Sequence, residues 1–111
     1  MGLTKTELFT EEQNELAQVN KALAHPARIA IIQHILKSEQ CINGDLVEEL
    51  GLAQPTISQH LKELKQVGII KGNIEGTSMN YCIDKDKWRY IRSLLVDLFD
   101  QAQLSDSNDC C

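Results

Sequence analysis

Leu52-Ala-Gln-Pro-Thr-Ile-Ser-Gln-His-Leu-Lys-Glu-Leu-Lys-Gln-Val-Gly68 combines a helix start, an apolar stripe, an outward polar face and a helix stop. Pro55 suits a first helical position, where its missing N–H would be unpaired anyway, and Gly68 can adopt the left-handed conformation that ends a helix. Ile57, Leu61 and Leu64 recur at the i, i+4, i+7 spacing of one buried stripe, which Val67 extends. That leaves Gln54, Pro55, Thr56, Ser58, Gln59 and Lys62 outside. Amides and hydroxyls on the first turns of a helix can hydrogen-bond base edges in a major groove, and the helix N-terminus favours a phosphate. Every amphipathic helix has a polar face, so the neighbouring segments decide what this one means.

Upstream, Asn43-Gly-Asp-Leu-Val-Glu-Glu-Leu-Gly51 reads as a short helix, with Asn43 as N-cap, Asp45 in the first turn and Gly51 as the stop. Its Leu46, Val47 and Leu50 need an apolar partner. The helix after Leu52 and Ala53 provides one, and two helices so joined form a helix-turn-helix whose second member enters the groove. Downstream, residues 69–71 and 79–83 read as strands around the loop Gly72-Asn-Ile-Glu-Gly-Thr-Ser78. A hairpin there is a wing, able to lie along the backbone or minor groove, with Gly76 and Thr77 as candidate DNA contacts. The expected fold is mainly α with a small β component (α+β), a winged helix-turn-helix with a two-stranded hairpin and N- and C-terminal dimerisation helices.

With these elements assigned, the chain resembles the ArsR/SmtB family of small winged-helix repressors. The matching stretches are His25-Pro-Ala-Arg-Ile-Ala-Ile31, Asp45-Leu46, Gln54-Pro-Thr-Ile-Ser-Gln-His-Leu61 and Gly76-Thr-Ser-Met-Asn-Tyr81. Each is weak alone, but four in order cover nearly the whole chain. The resemblance implies a homodimer on operator DNA, with two helices, then the helix-turn-helix, the wing and a last helix, and release when an inducer binds.

Composition is consistent with that expectation. A chain of 111 residues makes one core, assigned to residues 1–104, followed by a polar tail at 105–111. No apolar run approaches the roughly 20 residues of a membrane span, and the first residues lack a signal-peptide core, so a cytoplasmic protein without a membrane partner is expected. The net charge of −5 opposes DNA binding, but residues 54–80 carry Lys62, Lys65 and Lys71 against Glu63 and Glu75, a local +1, leaving −6 elsewhere. No nucleophile triad, phosphate loop or paired carboxylates can be assembled from the sequence, so the chain does not read as an enzyme and requires no cofactor.

The outer helices supply the expected dimer. Thr10-Glu-Glu-Gln13 has the form of a capping box, followed by Leu16, Val19 and Leu23. The segment 85–103 carries Trp88, Ile91, Leu95 and Leu98, widened by Leu94 and Phe99. That is more apolar surface than one small core needs, so Trp88, Ile91, Leu95 and Leu98 are expected between subunits.

Four cysteines in a reducing compartment indicate metal or redox chemistry. Strand alternation puts Cys82 on the face opposite Tyr81 and Ile83, as a small half-buried residue. In the arsenic-sensing branch that the chain resembles, a thiol sits in Cys-x-Cys-Asp-Leu. Here the stretch is Cys41-Ile-Asn-Gly-Asp-Leu46, with Asn43 in place of the second thiol and Gly44 as an extra residue. The terminal Cys110 and Cys111 can make up the deficit, since the tail from residue 103 reaches up to about 24 Å. Three thiolates from Cys41, Cys110 and Cys111 suit trivalent arsenic or antimony as inducer better than zinc. The alternative is a disulfide switch that joins the terminal thiols to each other or to Cys41. The last-helix histidine site of other family members is absent, because His25, His34 and His60 all precede the wing.

Overall fold

The computed structural model describes residues 8–39, 41–43, 46–73 and 80–102. Helix α1 spans Glu11–Leu23, and its capping box forms: Thr10 Oγ1 accepts from the Gln13 N–H and Gln13 Oε1 accepts from the Thr10 N–H, each at 3.0 Å. Helix α2, Pro26–Lys37, starts on Pro26 with His25 as N-cap, whose Nδ1 accepts from the Ala27 N–H at 3.1 Å. Strand β1 is Cys41–Asn43, and helix α3 is Leu46–Leu50. The second helix of the helix-turn-helix, α4, is Gln54–Gln66. Strands β2, Ile70–Asn73, and β3, Asn80–Ile83, lead to the last helix, α5, Lys85–Asp100, capped by Asp84.

The expected winged helix-turn-helix is present, with one strand added to its sheet. The order is β1-β3-β2, both pairings antiparallel. Asn43, expected as a helix N-cap, instead ends β1 opposite Asn80. Gly72 and Asn73, expected in the loop, are paired in β2 with Tyr81 and Asn80. A three-residue strand has little local signal of its own, and its pairing depends on a partner about forty residues away.

Glycine is required at two of these joints. Gly68, at φ +88°, ends α4 as its N–H reaches the Lys65 carbonyl and the Ile69 N–H reaches that of Leu64. At Gly72, φ +120°, a Cβ would meet the Asn80 carbonyl and lie 2.9 Å from the Tyr81 Cα, so only glycine lets β2 approach β3 this closely.

The core lies between α2, α4 and the sheet. Ile31 and Ile35 meet Ile57, Leu61 and Leu64, with Ile69, Ile70 and Tyr81 closing the sheet side and Val19 entering from α1. Removing this apolar surface from water, at about 25 cal/mol per Å², is the main force that seats α4. On α5 the expectation needs correction. Ile91 is buried in this core and Trp88 and Leu95 pack against it, so they are not available as a fully exposed intersubunit stripe. On α5 Leu98 and Phe99 remain exposed, at 44% and 68%, as does Tyr90 at 43%, with Leu8 and Phe9 also exposed ahead of α1.

Candidate nucleic-acid interface and thiol pair

Helix α4 is held from behind by its apolar stripe, and this fixes which side faces out. Ile57, His60, Leu61 and Leu64 are buried, whereas Gln54, Pro55, Thr56, Gln59 and Lys62 are exposed and Ser58 is half-buried. The six residues expected to face DNA thus lie on the outer side of one helix. Their side chains are ordered along it: Gln54 Nε2 donates to Ser58 Oγ and Gln59 Nε2 to Glu63 Oε1, both at 3.1 Å. These i, i+4 bonds are weak, so they hold the amides in place without preventing exchange for a base edge.

The hairpin is tied to the same helix. Lys65 Nζ donates to the Gly72 carbonyl at 2.8 Å, linking the last turn of α4 to β2, and Lys71 is exposed on that strand. Gly76 and Thr77, the candidate DNA contacts of the wing, lie outside the described residues. Arg28 of α2 points inward: its Nε donates to His60 Nδ1 and its Nη1 to the Ala22 carbonyl, each at 3.1 Å.

Cys41 stands directly opposite Cys82 across the β1–β3 pair, their Cα atoms 4.0 Å apart, and the two are joined as a disulfide. Cys82 is half-buried on the face opposite Tyr81 and Ile83, as strand alternation predicts. The register supplies what sequence reasoning missed, a partner for it. In this state Cys41 offers no free thiolate, and its expected co-ligands Cys110 and Cys111 lie outside the described residues. Among the described residues no group of three or more histidine, cysteine, aspartate or glutamate side chains is placed to hold a metal ion. No helix among them is long and apolar enough to cross a membrane.

A family model described as bacterial regulatory protein, arsR family, matches residues 25–71, which include α2, the helix-turn-helix and the start of the wing. An HTH-type transcriptional regulator of Methanocaldococcus jannaschii is 34% identical over 88 residues, covering 79% of this chain and 99% of that relative. The chain belongs to the ArsR family. The HTH-type transcriptional repressor SmtB of Mycobacterium tuberculosis is 43% identical over 61 residues, 55% of this chain. The match spans 44% of that repressor, less than half its length. The crystal structure of an ArsR family transcriptional regulator superposes with a TM-score of 0.67 over 84% of this chain and 95% of that one. At 20% identity this supports the winged helix-turn-helix fold and nothing finer.

A third polar site links the two ends of the chain. Lys87 Nζ and Tyr90 Oη both donate to the Glu15 carboxylate, at 2.8 and 2.6 Å, joining α5 to α1. Lys87, and then Tyr90, hold the Glu15 carboxyl below its ordinary range. Conversely, Glu15 raises the Tyr90 phenol by accepting its hydrogen bond. Partners more than 70 residues apart leave no spacing signal in the sequence.

Proposed function

We propose that this chain is a transcriptional repressor that binds operator DNA as a homodimer and responds to the oxidation state of Cys41 and Cys82. Helix α4 enters the major groove with Gln54, Pro55, Thr56, Ser58, Gln59 and Lys62, while the wing, with Gly76 and Thr77, follows the backbone. The observation that carries this reading is the seating of α4, whose Ile57, Leu61 and Leu64 are buried while the polar residues of its first turns stand open. The SmtB relative's description as an HTH-type transcriptional repressor supports it.

The proposed switch rests on where the thiol pair lies. Cys41 is in the strand that leads into the helix-turn-helix, and Cys82 is in the second strand of the wing hairpin. Oxidation converts two thiols into one disulfide, releasing two protons and passing two electrons to an oxidant such as a peroxide. The bond fixes β1 against β3 at that pair. It thereby ties the strand ahead of α3 to the wing hairpin, two parts that must meet DNA together. A coupling of about 1 to 3 kcal/mol would lower operator affinity ~5- to 150-fold.

The second reading is the metalloid inducer. With the disulfide reduced, exposed Cys41 joins Cys110 and Cys111 as three thiolates for trivalent arsenic or antimony. The adjacent thiols at the chain end favour it. One comparison separates the two readings: operator affinity of the reduced chain with arsenite, and with a mild oxidant alone. The redox reading expects release by oxidant and none in Cys82→Ser. Release by stoichiometric arsenite that persists in Cys82→Ser and disappears on truncation after Asp109 would replace it.

A further inference from the structure

His60 is the one charged or polar residue in the buried set of the described residues, 7% exposed in the middle of the stripe that seats α4. Its Nδ1 accepts from Arg28 Nε at 3.1 Å, and the same guanidinium donates through Nη1 to the carbonyl of Ala22, in the last turn of α1. That carbonyl belongs to the end of a helix, where backbone acceptors lack partners within the helix. One side chain of α2 therefore fastens both α1 and the reading helix. We propose that Arg28 and His60 form a proton-sensitive clamp that positions α4 for operator DNA and holds only while the His60 imidazole is neutral.

The argument is one of donors and acceptors. A guanidinium donates and never accepts, so His60 must present a lone pair at Nδ1 and carry its single proton on Nε2. Protonation at Nδ1 would set N–H against N–H and cation against cation. The charged and titratable groups around the imidazole offer little relief. Arg28 and His25 face it from α2, the His25 ring 4.5 Å away between centroids and tilted by 55°. His25 Nδ1 is already occupied as the N-cap acceptor of α2. Lys21 of α1 and Glu63 of α4 line the adjoining cleft of about 650 Å³, and Glu63 already accepts from Gln59. Burial, then His25 and Arg28, push His60 below the ordinary 6.5. Because the folded value is lowered, the clamp's contribution is complete above about pH 6.5 and is lost as pH falls from there through that lowered value.

This inference rests on α4 being the DNA-reading helix, and its test keeps the two claims apart. Operator affinity of the full chain, kept reduced throughout, is measured from about pH 7.5 to about pH 5 for the parent, His60→Gln, Arg28→Lys and Gln59→Ala. The parent is expected to lose about tenfold or more on acidification. Protonation of histidines that merely lie near DNA would tighten binding, so the sign is diagnostic. His60→Gln keeps a neutral acceptor and should flatten the profile, while Arg28→Lys, lacking the fork, should bind more weakly at all pH values. A His60→Gln profile that falls like the parent's, with Gln59→Ala still weakened, overturns the clamp alone. If Gln59→Ala also binds as the parent does, the reading of α4 falls with it. Should His60→Gln not fold, ring titration by NMR in the parent and Arg28→Ala decides. The clamp expects a midpoint below 6.5 that rises when Arg28 is removed, and an unmoved midpoint contradicts it.

Discussion

Helices α4 and α5 have similar sequence patterns, each with an apolar stripe on an otherwise polar helix, yet their surfaces end in opposite conditions. On α4 the core takes Ile57, Leu61 and Leu64, so what the outer side offers is amides, hydroxyls and Lys62. On α5 the core takes Ile91 and Leu94 and then stops, leaving Leu98 and Phe99 exposed toward the C-terminal end. Periodicity shows that a helix has an apolar face. How far that face is covered depends on what the rest of the chain brings to it, and here the uncovered part is polar on one helix and apolar on the other. A polar partner for α4 and an apolar one for α5, a second copy of the chain, follow as the proposed occupants.

The comparison is broken most severely at α5. Leu98→Glu should leave a folded monomer by sedimentation and cost operator binding ~100- to 10,000-fold, because two half-sites can no longer be held together. A variant that sediments and binds as the parent does would remove the apolar side of the contrast. Next comes the buried side of α4. Leu64→Ala should lower unfolding free energy by about 2 to 5 kcal/mol in a denaturant titration, since Leu64 is fully enclosed. A loss well under 1 kcal/mol would mean that α4 is not seated as described.

Smaller effects sharpen the contrast. Lys62→Ala should weaken cognate and random DNA alike and reduce the salt slope by about 1, as expected for a phosphate contact. Weakening confined to the cognate sequence would instead assign Lys62 to a base. Glu15→Gln should have the smallest effect, under about 1 kcal/mol, because its ion pair with Lys87 is about one-third exposed and screened. Its carboxyl is held below the ordinary 4.5, so the contribution is present above that pH and is lost as pH falls through the lowered value. Parent and Glu15→Gln melting curves should therefore converge in acid. Curves that stay equally separated from neutral pH to below that range would assign the effect to something other than the ionised carboxylate.

What the sequence revealed and what it concealed divide along one physical line. The capping box at Thr10, the stops at Gly51 and Gly68, the apolar stripe of α4 and the face taken by Cys82 are set by residues within a turn or two of each other. Strand β1, the Cys41–Cys82 register, the Arg28–His60 bond and the Glu15 link between α1 and α5 all depend on partners distant in the chain. Cys82 was legible as half-buried but not as a partner of Cys41, because alternation gives the face of a strand and not its register. The α5 stripe was misjudged for the same reason, since which of its apolar residues the core would take depends on the other helices.

The central claim, that the outer N-terminal face of α4 reads bases, is tested most directly by selecting duplexes from a randomised pool with the parent dimer and with Gln59→Ala. The parent should enrich a two-fold symmetric sequence with half-sites about one helical turn apart or a multiple of it. Gln59→Ala should lose preference at a symmetry-related base pair, at a cost of about 1 to 3 kcal/mol on the parental sequence. No enrichment by the parent, or enrichment of the same sequence with the same preference by both proteins, would contradict the account.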